Sequence, residues 1–131
     1  MMAKILLLMV LLHILDDFVL QKATLCNLKQ RDWWEREVGT KERGMPLMYK
    51  NDYIMALVIH ALSWSIMIHL PLFIFDIKWY LLITSVACNC LIHCIVDDAK
   101  ANLKSINLIQ DQLIHFGQIG ITFLIFTLWI V

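Results

Sequence analysis

Residues 91–115 read LIHCIVDDAKANLKSINLIQDQLIH, and this stretch decides how the chain is organised. An apolar run ends in His93-x-x-x-Asp97, a short polar link follows, and a second apolar run begins with Asp111-x-x-x-His115. Residues four apart lie on one face of a helix. The order of histidine and aspartate reverses between the two runs, as it must if antiparallel helices present the same groups at the same depth. The stretch therefore predicts two neighbouring helices that share a polar site.

The composition indicates that these helices lie in a membrane. Hydrophobic residues make up 60% and charged residues only 17% of the 131 positions, and the mean hydropathy is +0.71. Soluble domains of this size are normally more polar. A transmembrane helix needs about 20 apolar residues. We therefore expect an all-α, polytopic membrane protein that forms a single domain over 1–131, a four-helix bundle with transmembrane helices at about 2–20, 54–75, 79–97 and 108–131.

The positive charges predict how the bundle is oriented. The net charge is zero, which gives no electrostatic reason to expect a nucleic acid partner. Lysine and arginine concentrate in the segments 21–53 and 98–107, and such segments usually face the cytoplasm. Both chain termini are then expected on the outer side. We expect the 21–53 segment to carry an interfacial helix across the mouth of the bundle, and a solvated linker is the open alternative.

The pattern of the third and fourth helices recurs in the first two. The first helix carries His13-x-x-x-Asp17 near its cytoplasmic end, in the same order of histidine and aspartate as the third helix. The second helix carries His60 at a corresponding depth. Four helices would thus supply a layer of histidines, with three aspartates one turn nearer the cytoplasm. The outer halves of the helices offer few polar residues, which favours catalysis or sensing over transport.

Buried aspartates need a compensating charge. Each costs on the order of 2.5–3.5 kcal/mol at the centre of a membrane helix, and a divalent cation can compensate such groups. The mixed nitrogen and oxygen ligands suit zinc, manganese, iron or cobalt, as one or two ions. Proton relays use the same residue types, and this alternative stays open. The candidate metal ligands are His13, Asp17, His60, His93, Asp97, Asp111 and His115.

These motifs also carry a resemblance to a known family. The stretches are His13-Ile-Leu-Asp-Asp17-Phe-Val-Leu-Gln21, His60, His93-Cys-Ile-Val-Asp97-Asp-Ala-Lys100 and Asp111-Gln-Leu-Ile-His115. Together they resemble the small bacterial and phage membrane proteins catalogued as domain of unknown function 3307, and more distantly the inner-membrane metal-dependent hydrolases. The resemblance implies a four-helix membrane protein with a metal-hydrolase site. It also implies a role for Lys100, which at the cytoplasmic rim could meet a lipid phosphate or could simply extend from a helix end towards water.

The expected function combines the site with the resemblance. We expect a metal-dependent hydrolase in the bacterial inner membrane that acts on a lipid-linked ester or phosphoester near the cytoplasmic leaflet, with membrane lipid as its partner. Two alternatives stay open: a metal- or proton-handling element for transport or sensing, and a small phage membrane effector with a structural metal site. A homo-oligomer is compatible with all three. The expected catalytic residues, acting as ligands or as a base, are Asp17, Asp97, Asp111 and His115.

Overall fold

The computed structural model describes residues 1–39, 44 and 46–130, and this part of the chain is helical and contains no β-strand. Short 3₁₀ turns, Leu47–Tyr49 and Leu70–Leu72, flank the second of the long helices. The α-helices are α1 (Met2–Ile14), α2 (Ala23–Leu28), α3 (Arg31–Glu37), α4 (Asp52–His69), α5 (Trp79–Ala101) and α6 (Leu108–Ile130).

In the part of the chain that the structure describes, three helical stretches are long and apolar enough to cross a membrane: Leu47–Leu72, Trp79–Ala101 and Leu108–Leu128. The first stretch begins before the expected helix 54–75 and ends three residues before the end of that expected helix. The second stretch continues four residues past the end of the expected helix 79–97. The first expected helix, 2–20, is present as α1 and a π-helical extension, and this pair carries Lys4 and two aspartates.

The π-helical extension Leu15–Leu20 changes which side chains face inward. A π-helix closes i→i+5 hydrogen bonds and therefore holds more residues per turn than an α-helix. At the end of this extension the Gln21 amide donates to the carbonyl oxygen of Asp16 at 2.9 Å. Asp16 and Asp17 consequently both turn towards the bundle, and Asp16 is only 2% exposed.

The four longest helices, α1, α4, α5 and α6, form a closed ring. α1 and α5 lie on opposite sides, and each packs against both α4 and α6. A buried apolar cluster fills one half of the bundle, and buried histidines and aspartates lie in the other half. Trp64 belongs to the apolar cluster and contacts the polar half, where it donates to His13 and stacks on His93. This cluster consists of Ile5, Met9, Trp64, Ile68, Leu72, Leu82, Ile119 and Phe126.

Apolar side chains also cover the outside of the ring. Leu11, Ile95 and Leu124 are examples of large apolar residues exposed on three different helices, whereas the histidines and aspartates of the site lie inside. A soluble protein rarely exposes so much apolar surface. The distribution, apolar outside and polar inside, suits a bundle surrounded by lipid.

In its described part, the 21–53 segment carries two short helices, α2 and α3, where a single interfacial helix was expected. The chain breaks between α2 and α3, where the Lys29 carbonyl accepts from the Asn102 amide at 3.1 Å and the Arg31 backbone N–H donates to the Asn102 Oδ1 at 2.7 Å. Lys104 donates to Asp32 at 2.7 Å, and this contact lowers the pKa of the Asp32 carboxyl. The segment is therefore tied to the end of α5 and to the α5–α6 link.

Met9→Ala tests the packing of α1 in the bundle. Met9 is fully buried in the apolar cluster, so the truncation should leave a cavity and lower the free energy of unfolding by about 2–3 kcal/mol. Leu7→Ala is the matched control, because Leu7 is 59% exposed and should change stability little. Chemical denaturation in detergent micelles measures both. An equal loss in the two variants would show that α1 does not pack as described.

Candidate metal centre

Four buried histidines meet in the polar half of the bundle, one from each long helix. The ring centroids of His93 and His115 are 4.1 Å apart and those of His60 and His93 are 5.0 Å apart. His13 completes the set, 6.0 Å from His115. All four are at most 2% exposed. The helix order and the spacing in the sequence thus bring these four side chains to one place.

Asp97 and Asp111 are each held by a lysine on one carboxylate oxygen. Lys29 Nζ donates to Asp97 Oδ2 at 2.5 Å, and Lys100 Nζ donates to Asp111 Oδ2 at 2.6 Å. The other oxygen of each carboxylate faces the imidazole of His115, with Nε2–Oδ1 distances of 3.6 Å to Asp97 and 3.4 Å to Asp111. The Oδ1 atom of Asp111 is buried and has no hydrogen-bond partner. Each lysine therefore orients a carboxylate and leaves one oxygen directed inward.

Asp17 and Asp16 repeat this arrangement without a lysine. Gln112 Nε2 donates to Asp17 Oδ2 at 3.1 Å, and Ser63 Oγ donates to Asp16 Oδ1 at 2.7 Å. The remaining oxygens face the two nitrogens of His60, at 3.3 Å for Asp17 Oδ1 and 3.6 Å for Asp16 Oδ2. Both of these oxygens are buried without a hydrogen-bond partner. Three of the four carboxylates thus direct an unpaired oxygen at an imidazole.

The imidazoles of His115 and His93 present free nitrogens to these oxygens. Gln118 Nε2 donates to Asn89 Oδ1 at 3.3 Å and to the Asn89 carbonyl at 3.2 Å, so its Oε1 must be the atom facing His115 Nδ1, at 3.0 Å. In the neutral ring, His115 Nδ1 therefore carries the hydrogen, and Nε2 keeps a lone pair that has no partner among the described residues. Among the same residues, neither ring nitrogen of His93 has a partner.

The spacing between these atoms is compatible with ligands that share an ion. The nitrogen–oxygen distances between the inward-facing histidine and aspartate atoms are 3.3–3.7 Å, longer than an ordinary hydrogen bond of about 2.7–3.2 Å. Two ligands at about 2.1 Å from a tetrahedral zinc ion are about 3.4 Å apart. Among the described residues, two groups of side chains could hold a metal ion: Asp17, His60 and His93; and His93, Asp97 and His115.

His13 lies beside these groups but not in them. Trp64 Nε1–H donates to His13 Nδ1 at 2.7 Å, and an indole can only donate. The hydrogen of the neutral ring is then on Nε2, which donates to Gln112 Oε1 at 3.1 Å. Because both nitrogens are engaged, His13 offers no free lone pair, although the sequence spacing made it a candidate ligand. Helix periodicity could not reveal this, because the indole donor comes from another helix.

Two residues of the centre were not expected from the sequence. Lys29 gave no signal, because it lies in a polar segment and reaches Asp97 only through the fold of α2. Gln118 could have been found, since it lies three residues after His115 on the same helix face. Asp16 was expected to be solvated or to support the neighbouring ligands, because an α-helical phase places it about 100° from Asp17; the chain is π-helical there and Asp16 is buried.

Polar groups continue into the apolar half, where few were expected. Asn89 Nδ2 donates to Thr122 Oγ1 at 2.9 Å and to the Ser85 carbonyl at 3.1 Å. His69 Nδ1 donates to the Ser65 carbonyl at 2.7 Å, and its Nε2 lies 2.8 Å from Ser85 Oγ. These polar residues lie mainly on α4 and α5, and α6 contributes Thr122. We call these five residues the polar ladder.

Comparison with known proteins gives no relative. No protein-family model, curated protein or solved structure matches the chain. The family resemblance of the motifs therefore stays a prediction.

Lys29→Met tests the ion pair that holds Asp97. The side chains of Lys29 and Asp97 are 8% and 5% exposed, so removing the lysine leaves a buried carboxylate unpaired. Unfolding in detergent with a chelator present should show a loss of about 3–5 kcal/mol. The double variant Lys29→Met with Asp97→Asn should recover most of this loss, because no unpaired charge remains. A double variant as unstable as Lys29→Met would refute this account.

Proposed function

We propose that the protein is a membrane-embedded, metal-dependent hydrolase that acts on a lipid-linked ester or phosphoester. The single observation that carries this proposal is the set of unpaired carboxylate oxygens and imidazole nitrogens directed at one another inside the bundle. Unpaired buried polar atoms are costly, and seven of them occur among the described residues, most of them in this centre. An ion bound between His93 and His115 would take up one lone pair from each ring.

We propose four membrane crossings, with α1 and its π-helical extension as the fourth. α1 packs against α4 and α6, and Leu7, Leu11 and Val19 on its outer face are exposed. The distribution of lysine and arginine supports a cytoplasmic position for the polar end of the bundle, in the inner membrane of a bacterium. The candidate centre then lies near the cytoplasmic leaflet, where lipid headgroups can reach it.

His93, Asp97 and His115 are the proposed ligands. All three are buried, and Lys29 and Gln118 hold two of them in place by hydrogen bonds. Contacts of this kind fix the orientation of metal ligands. Three protein ligands leave a coordination position open, as in catalytic zinc sites, and zinc, manganese, iron and cobalt all suit nitrogen and oxygen ligands.

The second group supplies acid–base chemistry. A neutral imidazole has one lone pair, so His93 can complete only one of the two groups at a time. With one ion on His93, Asp97 and His115, the pair of Asp17 and His60 is left free. A bound divalent ion polarises a scissile bond and lowers the pKa of water. Asp17 Oδ1, 3.3 Å from His60 Nε2, is placed to accept the proton from an attacking water, and Gln112 orients this carboxylate through Oδ2.

Proton transport is the rival function, and the polar ladder is the observation that favours it. The ladder extends polar contacts beyond the centre, and its far end is His69. His69 is fully buried, and both its nitrogens are engaged. Within the described residues the ladder therefore stops below the surface, which suits internal pairing of polar groups better than conduction.

Metal content distinguishes the proposed ligands from the other histidines. His93→Gln and His115→Gln each remove a lone pair from the site, and both should weaken zinc binding by more than about 100-fold. His13→Gln should keep most of the zinc, because neither nitrogen of His13 is free. His69→Gln is the matched control outside the centre. Elemental analysis of the protein purified in detergent measures the metal, and equal, near-zero zinc in the wild type and all variants would refute the metal proposal.

Turnover separates an enzyme from an effector with a structural metal. Asp17→Asn should retain the ion and lower kcat by a factor of about 10²–10⁴, because it removes the base. Product release from a panel of phospholipids and isoprenoid phosphates, with and without chelator, measures this. Asp76→Asn, an exposed aspartate in the turn before α5, is the control and should keep full activity. Metal-loaded protein that hydrolyses no compound of the panel would favour the alternative, an effector with a structural metal site.

A further inference from the structure

A cleft leads from the surface of the polar end to the candidate centre. Its volume is about 340 Å³, and it opens between the α2 region and the end of α5. Asp97, a proposed metal ligand, forms part of its lining. A volume of this size lies within the range of ligand-binding clefts, about 300–1,000 Å³. The cleft thus reaches one of the proposed metal ligands from the headgroup side.

Three lysines line this cleft at increasing exposure. The side chains of Lys29, Lys100 and Lys104 are 8%, 37% and 68% exposed, so they run from a buried position at Asp97 to the surface. Asp97 is the one acidic residue in the described lining. The three lysine side chains therefore line one common space that reaches Asp97.

Each lysine has hydrogen-bonding capacity left over. Lys100 and Lys104 each donate to a single carboxylate, Asp111 and Asp32 respectively. Lys29 donates to Asp97. It also donates to the side-chain oxygen of Gln21 when the Gln21 amide is turned so that both its oxygen and its nitrogen have partners. An ammonium group has three donors. Several N–H groups thus remain for an anion that enters the cleft.

We propose that this cleft binds a phosphate group, which makes the substrate of the site a phosphoester. This inference deepens the proposed function and rests on it. A phosphate monoester carries close to two negative charges and three strong acceptor oxygens, which can engage ammonium groups from several sides. A neutral ester would leave the spare donors of Lys100 and Lys104 unused. Lys100 and Lys104 bind the phosphate, and Lys29 keeps Asp97 in place at the inner end.

The ion and the phosphate should bind cooperatively. Each lysine is paired with a carboxylate in the structure, so the cleft alone carries little excess positive charge. An ion on Asp97, His93 and His115 adds positive charge at the inner end of the cleft. By linkage, phosphate then tightens the binding of the ion as much as the ion tightens that of phosphate.

Isothermal titration with inorganic phosphate tests the site on zinc-loaded protein in nanodiscs of phosphatidylcholine. The wild type should bind phosphate more tightly than acetate, and Lys104→Gln should weaken phosphate binding by a factor of about three to five, the range of an exposed charge pair. Lys50→Gln is the matched control, because Lys50 is exposed and lies outside this cleft. No phosphate binding, equal binding of acetate, or equal effects of the two variants would overturn the proposal.

A second arm identifies where the phosphate comes from. Nanodiscs that contain phosphatidate should compete with inorganic phosphate if the source is a lipid headgroup, whereas a lack of competition assigns the site to a soluble phosphate compound. Metal content is measured in the same samples. Bound zinc without phosphate binding refutes the cleft and leaves the metal proposal intact. Phosphate binding without bound zinc supports the cleft and refutes the metal proposal.

Discussion

Carboxylates inside an apolar bundle must be compensated, and the positions of most polar side chains follow from this requirement. Four aspartates enter the polar half of the ring, and each has one oxygen on a donor from another part of the chain. Because lipid offers no water to satisfy such groups, the donors have to come from the protein. The α2–α3 segment is therefore part of the site, since it delivers Lys29 to Asp97.

The same contacts also give the centre its chemical character. A carboxylate with one oxygen held by a lysine, serine or amide cannot rotate freely, so its second oxygen stays directed at the histidines. Gln118 fixes the tautomer of His115 in the same way. Outer contacts thus prearrange the inner atoms, and prearranged lone pairs are what an ion requires of its ligands. Residues that hold Asp97 and His115 should matter almost as much as the ligands themselves.

Much of the fold could be predicted from the sequence, and the site only in part. The apolar windows indicated the long helices, and the reversed order of His93, Asp97, Asp111 and His115 indicated that two helices share a polar layer. The ends of the helices were less well predicted, because capping and 3₁₀ turns depend on local contacts. The 21–53 segment resisted prediction, since its polar residues gain partners such as Asn102 only after the chain has folded.

The sequence by itself determined which side chains share a helix face and at what depth, because spacing along a helix fixes both. It could not determine which lone pairs stay free. That property depends on donors from other helices, as for His13, whose nitrogens are taken by Trp64 and Gln112. It also depends on the local π-helix that turns Asp16 inward. Only the tertiary structure therefore decided the candidate ligands, because a lone pair is free or engaged according to its neighbours in space.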